Sequence, residues 1–228
     1  MKCRVIWKLA PALAVLITLG ISINYYNAQE KVKSLLGFYN EDQKFRTAPT
    51  SPSPRCGLSA VCPSDRFAVH IRSGAANIVG PKICFDGKTI MSHVLNNVGP
   101  GLNVVVADGE DGVVVKHGYL DMQDGNPEDI LDYLKSIKPG LIVLVASFGD
   151  VTKKMTPEMR EIFVGMGSTL IRSVKQRDSW VFAGRAGTEI KSLFEKRAVN
   201  DEKTNIYEGW PEIVEVGGCF PRSPAATG

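Results

Sequence analysis

Residues Leu141–Ala146 read Leu-Ile-Val-Leu-Val-Ala, a run of six apolar side chains that directly follows Pro139-Gly140. Proline and glycine end the preceding helical pattern, so the run begins a new element. A continuous apolar run of this length, bounded by turn residues, is typical of a buried strand. It predicts the central strand of the fold.

Short strand and helix signals lie on both sides of this run. Helices are predicted to begin at Asn126-Pro127 and Thr156-Pro157, where a capping side chain precedes proline. Asp-Gly turns within residues 85–89 and 108–112 predict two hairpins. Further strands are predicted at Phe67–Ser73, Leu102–Ala107, Val113–Val115, Trp180–Ala183 and Ile213–Val216. Many short strands with interspersed helices indicate an α+β domain with largely antiparallel sheets.

The first 28 residues have the pattern of a targeting segment. Met1–Lys8 carries three basic side chains, and Leu9–Leu19 is apolar. This pattern predicts a signal peptide over residues 1–22, with cleavage after Ser22 preferred to cleavage after Ala28. A retained type II anchor, which would make the protein Golgi-resident, is the alternative. The 15 residues from Leu9 to Ile23 are short for a membrane span of ~20 residues, so the mature chain is expected to be secreted, without stable membrane insertion.

The remaining chain divides by composition. Residues 23–55 end in a Pro/Ser/Thr-rich stretch typical of an extended stalk, residues 56–222 form the predicted domain, and residues 223–228 are a tail. Without the targeting segment the chain has 24 basic and 24 acidic residues. A neutral chain without a basic stripe has little to hold a phosphate backbone, which argues against a nucleic-acid partner.

Four cysteines remain in the predicted mature chain: Cys56, Cys62, Cys84 and Cys219. In a secreted context they predict two disulfides, with three possible pairings. No Cys-x-x-Cys pair is present and the three histidines lack ligand spacing, so the sequence predicts neither a metal site nor a cofactor.

The sequence contains none of the common catalytic motifs, and no enzymatic activity is predicted. Two patterns have alternative interpretations. The aspartates 108, 111, 121 and 124 could bind a cation or form an acid–base cluster, although turn aspartates more often bond to local backbone. Arg177-Asp178 before Trp180 could form a sugar site, with the ring stacking on a pyranose, or a salt-bridged strand entrance beside a core tryptophan.

Five longer stretches together resemble one family: Ser73–Cys84, Asn96–Gly99, Leu120–Met122, Arg177–Phe182 and Tyr207–Glu212 with Cys219. It is the secreted cytokine-like family of pancreatic-derived factor and interleukin-like EMT inducer, and the resemblance runs from about Arg55 to Cys219. It implies a compact β-β-α globule with disulfides Cys56–Cys84 and Cys62–Cys219. It also implies hormone-like or cytokine-like signalling through an unknown cell-surface receptor or glycan, without catalysis.

The same fold is known as the GG-type lectin domain, and it is similar to the stem domain of protein O-mannose N-acetylglucosaminyltransferase, which binds β-linked GlcNAc. An Arg, an Asp and a second Arg contact the sugar there. The second Arg matches Arg177, whereas Pro100 and Gly149 stand at the other two positions, with Asp150 adjacent. The resemblance therefore implies a carbohydrate site at Arg177, Asp150 and Trp180 that is lost or redirected.

Some members of the family carry a cysteine, available for covalent dimerisation, in the strand after this tryptophan. Here Ala183 occupies that position. The comparison therefore implies a monomer, or at most a non-covalent oligomer.

Overall fold

The computed structural model describes residues 53–223, together with the helical positions Leu19, Ser22 and Asn24. The chain divides into two units, Met1–Ser51 and Pro52–Gly228. The predicted signal peptide and stalk, apart from those three positions and residues 53–55, lie outside the described residues, as does the tail from residue 224. No helix among the described residues is long and apolar enough to cross a membrane.

Within residues 53–223 the second unit contains nine strands, two α-helices and one 3-10 helix. The strands are β1 Arg66–Arg72, β2 Lys82–Phe85, β3 Lys88–Ser92, β4 Gly101–Ala107, β5 Val114–Leu120, β6 Ile142–Phe148, β7 Ser179–Arg185, β8 Phe194–Ala198 and β9 Glu215–Pro221. The α-helices are α1 Pro127–Lys135 and α2 Pro157–Val164, and the 3-10 helix is Ile171–Ser173.

The strands form two sheets, ordered β3-β2-β1-β9 and β5-β4-β6-β7-β8. Every neighbouring pair is antiparallel. The run quoted above forms β6, the middle strand of the five-stranded sheet. The predicted α+β class with two antiparallel sheets is therefore confirmed.

Strand β6 is covered on both faces. Val143 and Val145 belong to a core shared with α1 and α2, where Leu134 and Phe163 are buried against the sheet. Leu144 and its alternate neighbours on β6 belong to a second core between the two sheets. The order of layers is therefore sheet, sheet, helices, which confirms the β-β-α globule.

Both helices begin where the capping signals predicted. The Asn126 side chain accepts a hydrogen bond from the backbone N–H of Glu128 at 2.9 Å, and Pro127 occupies the first turn. Thr156 Oγ1 accepts from the backbone N–H of Met159 at 3.2 Å. Each cap satisfies a donor that the first turn of a helix leaves without an intrahelical partner.

Three strands differ from the sequence prediction. Strand β5 was predicted at Val113–Val115 and instead runs over Val114–Leu120, because it pairs with β4 over nearly its whole length. Strand β8, Phe-Glu-Lys-Arg-Ala, was not predicted because its charged residues hide the alternation, and it forms by pairing with β7. The last strand was predicted at Ile213–Val216 and instead runs over Glu215–Pro221. Its glycines weaken the local strand signal, but Gly218 leaves room for the Phe194 ring, which a Cβ there would approach to 3.0 Å.

The two disulfides join Cys56 to Cys84 and Cys62 to Cys219. Both pairings implied by the family resemblance are confirmed. The first joins residues 28 apart in sequence and the second residues 157 apart. The second therefore ties the last strand of the domain to the segment before the first strand.

Glu195 on β8 is the acceptor for several donors at once. Its carboxylate accepts from Trp180 Nε1 at 2.9 Å and from the backbone N–H groups of Thr169 and Leu170 at 2.6 and 3.1 Å. It also accepts from the hydroxyls of Ser168 and Thr169. A single side chain thus joins the edge strand, the loop before the 3-10 helix and the core tryptophan.

Replacing Cys62 and Cys219 together by alanine is expected to destabilise the fold more than replacing Cys56 and Cys84 together. In the chain-entropy account, loss of the longer loop costs about 5 kcal/mol and loss of the shorter loop about 3.5 kcal/mol. Urea unfolding of the two double variants measures the difference. An equal or reversed order would contradict it.

The substitution Glu195→Gln is expected to lower the free energy of unfolding by about 2 to 4 kcal/mol, because an amide nitrogen cannot accept the bonds that the second carboxylate oxygen accepts. Glu202→Gln is the control, since Glu202 is exposed and its side chain has no hydrogen bond among the described residues. Urea unfolding should leave that control within about 0.5 kcal/mol of the wild type. Equal stabilities for the two variants would refute the role of Glu195.

Candidate functional site

The three positions matched to lectin contacts lie at one end of the five-stranded sheet. Pro100 immediately precedes β4, Gly149 immediately follows β6, and Arg177 lies two residues before β7. Because β6 is antiparallel to both neighbours, the start of β4, the end of β6 and the start of β7 lie at the same end of the sheet. We call this end, with Asp150 and Trp210, the Arg177 corner.

The turn that carries Pro100 is held closely. Asn103 is fully buried, and its side-chain amide accepts from the backbone N–H of Gly99 at 3.0 Å and donates to the Gly99 carbonyl at 2.9 Å. A Cβ at Gly99 would lie 2.4 Å from the Tyr119 ring, and one at Gly101 would lie 2.2 Å from the Leu120 carbonyl oxygen. Both flanking positions therefore require glycine, and position 100 alone can carry a side chain.

Gly149 occupies the left-handed region, with φ +69°. Its backbone N–H donates to the Ala76 carbonyl at 3.0 Å. A Cβ at Gly149 would lie 3.0 Å from Gln123 Nε2 and 4.0 Å from the Asn77 Cβ. Two amide side chains therefore flank this position, and the sequence analysis missed both because they come from distant loops.

Asp150 bonds within its own turn. Its Oδ1 accepts from the backbone N–H of Thr152 at 2.9 Å and from the Thr152 hydroxyl at 2.7 Å. This is the usual local role of a turn aspartate. The second carboxylate oxygen has no bond among the described residues.

Arg177 is exposed and has an uncommon backbone conformation for a non-glycine residue, φ +63°. Asp178 holds this turn, since its Oδ2 accepts from the backbone N–H of Lys175 at 2.9 Å. The Arg177 guanidinium lies over the Trp210 ring, 5.1 Å from its centroid, and Nη1 donates to the Gly209 carbonyl at 3.4 Å. An exposed cation beside a half-buried aromatic ring is thus the main feature of the corner.

The structure corrects the prediction that Trp180 offers a face to a sugar. Trp180 is 0% exposed, stacks on Phe182 and meets Phe163 edge to face. The aromatic ring beside Arg177 is Trp210, which the sequence analysis did not assign to the site. A strand with both faces buried has no surface for a ligand, and the apolar run Trp-Val-Phe-Ala could not distinguish the two situations.

Asp178 is also structural. It is buried, accepts from the backbone N–H of Asn200 at 2.8 Å and lies 3.5 Å from Arg197 Nη1. Of the two interpretations of Arg177-Asp178, the salt-bridged strand entrance beside a core tryptophan therefore holds for Asp178. Arg177 alone faces solvent.

Three of the four turn aspartates, at positions 108, 111 and 121, bond to local backbone, whereas Asp124 lies 3.6 Å from Lys153 Nζ. Asp108 Oδ1 accepts from the backbone N–H of Glu110 at 2.8 Å, and Asp121 Oδ1 accepts from Gln123 and Asp124 at 2.9 and 3.0 Å. The N–H groups of Asp124 and Gln123 lower the pKa of Asp121. Across the part of the chain that the structure describes, no cluster of three or more potential metal ligands occurs.

A second surface feature lies beyond the other end of β7 and had no sequence motif to predict it. It is a groove of about 400 Å³ between the β7–β8 loop and β9. We call it the apolar groove. Its lining includes Ile190, Leu193, Phe194 and Phe220, with the cationic Arg185 and Arg222.

Comparison with known proteins identifies related chains. A family model described as interleukin-like EMT inducer matches residues 100–188. Protein FAM3C of Homo sapiens is 41% identical over 219 residues, covering 94% of this chain and 96% of the relative. Protein FAM3C of Rattus norvegicus is 46% identical over 171 residues, covering 75% of each chain, and Protein FAM3D of Mus musculus is 45% identical over 172 residues, covering 75% of this chain and 77% of its own. Identity of 41 to 46% over three quarters or more of each chain shows that this protein belongs to the FAM3 family of cytokine-like proteins.

Proposed function

We propose that this protein is secreted and signals by binding a partner protein at the cell surface, without turning over a substrate. Family membership supports the cytokine-like role. The two disulfides support secretion, because such bonds form and persist in oxidising compartments. We further propose that this protein recognises a protein surface of its partner and not a glycan.

The composition of the Arg177 corner is the main support for recognition of a protein and not of a glycan. In the similar lectin domain three polar side chains contact the sugar, and here two of those positions are Pro100 and Gly149. Neither can donate or accept a side-chain hydrogen bond. The Asp150 side chain next to Gly149 bonds to Thr152 in its own turn.

The energetic consequence is large for a small site. A hydrogen bond to a charged group contributes about 1.5 to 3 kcal/mol. Removing two such bonds weakens a sugar complex by about 100-fold or more, since each 1.4 kcal/mol corresponds to a factor of about 10. Because the Arg177 corner lacks two of the three side chains that would contact a sugar, we favour a protein as the binding partner.

A carbohydrate-binding module for β-linked GlcNAc glycans is the second candidate. Its support is the exposed Arg177 beside Trp210, together with the amides of Asn77 and Gln123 next to Gly149. An aromatic face and planar hydrogen-bonding groups are the usual components of a polar ligand site. In this alternative Trp210 replaces Trp180 as the stacking ring.

Fluorescently labelled protein, purified from the medium of expressing cells, is expected to bind responsive cells saturably. Excess unlabelled protein should displace it, whereas β-linked GlcNAc glycans should not. Enzymatic removal of glycans from the cell surface should leave the binding unchanged. Flow cytometry over a concentration series measures this binding. Displacement by the glycan would favour the lectin alternative, and non-saturable binding would refute the signalling proposal.

Rebuilding the missing contacts is expected to create glycan binding. The double variant Pro100→Arg with Gly149→Asp supplies both lost side chains, and aspartate is among the residues that tolerate a positive φ. Calorimetric titration should give the variant at least a 10-fold higher affinity for a β-linked GlcNAc glycan than the wild type.

Arg177→Ala is the matched control in both backgrounds. It should abolish the affinity of the double variant for the β-linked GlcNAc glycan and leave the weak glycan affinity of the wild type unchanged. Wild-type binding that equals that of the double variant, and that Arg177→Ala removes, would instead establish a lectin whose pocket tolerates Pro100 and Gly149.

A further inference from the structure

We propose that the apolar groove is the surface that contacts the partner, and that the partner presents a bulky apolar side chain flanked by carboxylates. This inference rests on the proposed function and names the surface and the chemistry that it uses. It concerns the β7–β8 loop and β9, at the opposite end of β7 from the Arg177 corner.

The floor of the groove is aromatic and well supported. The Phe194 and Phe220 rings lie 5.3 Å apart at 51°, and Phe194 packs over Gly218. Both phenylalanines also contribute to the core between the sheets. The floor is therefore rigid, and a volume of about 400 Å³ accommodates a large side chain with its neighbours.

The rim is apolar where solvent is most accessible. Leu193 is 93% exposed and Ile190 is 79% exposed, three residues apart in one loop. Scattered apolar residues on a surface are ordinary, but two of them beside an apolar groove form a continuous patch. Such patches provide the central contacts of protein interfaces.

The charged residues that line the groove are all positive, and none of them forms an ion pair among the described residues. Arg185 donates to the carbonyl oxygens of Gly140 at 3.1 Å and Pro221 at 2.7 Å, and to the Ser223 hydroxyl. Burial lowers the pKa of Arg185, but an arginine remains charged at neutral pH. Its hydrogen-bond partners are neutral acceptors, and none of the ion pairs among the described residues neutralises its guanidinium.

Arg222 and Lys191 add to this charge. Arg222 Nη1 donates to the Glu110 carbonyl at 3.1 Å, and Lys191 lines the groove and is exposed. None of the ion pairs among the described residues includes Arg185, Lys191 or Arg222. The acidic residues near the groove include Glu189 in loop 188–194 and those of turn 108–111, whose backbone contacts Arg222, and none of them lines the groove. A complementary partner is therefore acidic around its apolar contact.

The same charges disfavour a second copy of this chain as the occupant. A two-fold contact brings the same patch of both copies together. Lys191 and the two arginines of one copy would then face their counterparts, and like charges at an interface suppress association. An acidic partner protein meets both the apolar and the electrostatic requirement.

The cell-binding assay described above tests the surface with matched variants. Leu193→Ser is expected to weaken binding at least 10-fold, whereas Val94→Ser, at a residue 92% exposed elsewhere on the domain, should leave it unchanged. Lys191→Glu should weaken binding at least 5-fold, and Lys88→Glu, an exposed lysine on β3, should not. Equal binding by Leu193→Ser and Val94→Ser would overturn the proposal.

A peptide probe separates failure of this inference from failure of the proposed function. Acetyl-Glu-Glu-Leu-Phe-Glu-Glu-amide at millimolar concentration should shift amide resonances of residues 188–194, Phe220, Arg222 and Ser223 in the wild type and not in Leu193→Ser. The same peptide with lysine in place of glutamate should cause no shift. Shifts without cell binding would refute the signalling role and keep the surface, whereas cell binding with no shifts would overturn the surface chemistry.

Two further arms identify other occupants. Binding to phosphatidylserine vesicles that Leu193→Ser abolishes would make the groove a membrane contact. Dimers in sedimentation that Leu193→Ser disperses would make it a self-association surface. Either result would overturn the proposal, and monomeric protein that ignores the vesicles supports it.

Discussion

The structure depends on one constraint, which is that strand β6 is dry on both faces. Its apolar side chains alternate between the core under α1 and α2 and the core between the sheets. Neither the helices nor the four-stranded sheet alone could exclude water from both faces. Burial of this strand therefore requires three layers, and each large aliphatic side chain that it buries contributes about 1.5 to 3 kcal/mol relative to exposure.

Peripheral elements depend on specific polar and covalent links rather than on apolar area. Strand β8 is charged and lies at a sheet edge, and Glu195 attaches it to Trp180 and to the loop at residues 168–170. Strand β9 is rich in glycine, and the Cys62–Cys219 disulfide ties it to the start of the domain. These two links hold the strands that carry the floor of the apolar groove, Phe194 on β8 and Phe220 on β9.

The two candidate surfaces lie at opposite ends of β7. The Arg177 corner precedes this strand, and Arg185 at its last position begins the apolar groove. A rigid strand of seven residues, roughly 23 Å long, separates them. Substitutions at one surface therefore leave the other intact, so a glycan-binding role and a partner-binding role are experimentally separable. The corner has Pro100 and Gly149 at two positions that the sequence prediction matched to sugar contacts, whereas the groove combines apolar area with three positively charged lining residues.

The sequence by itself determined the elements whose signals are local: the apolar run of β6, the Asn126 and Thr156 caps, the Asp-Gly turns and the number of cysteines available for disulfides. It also indicated that Pro100 and Gly149 depart from the lectin pattern. Only the tertiary structure decided that Trp180 is buried and that Trp210 lies beside Arg177, because an apolar run does not reveal what covers its second face. Only the tertiary structure also showed that Phe194–Ala198 forms strand β8 and that the apolar groove exists. A strand with charged residues becomes ordered only when a distant strand offers hydrogen bonds, and a groove between a loop and β9 exists only once residues far apart in the chain are brought together.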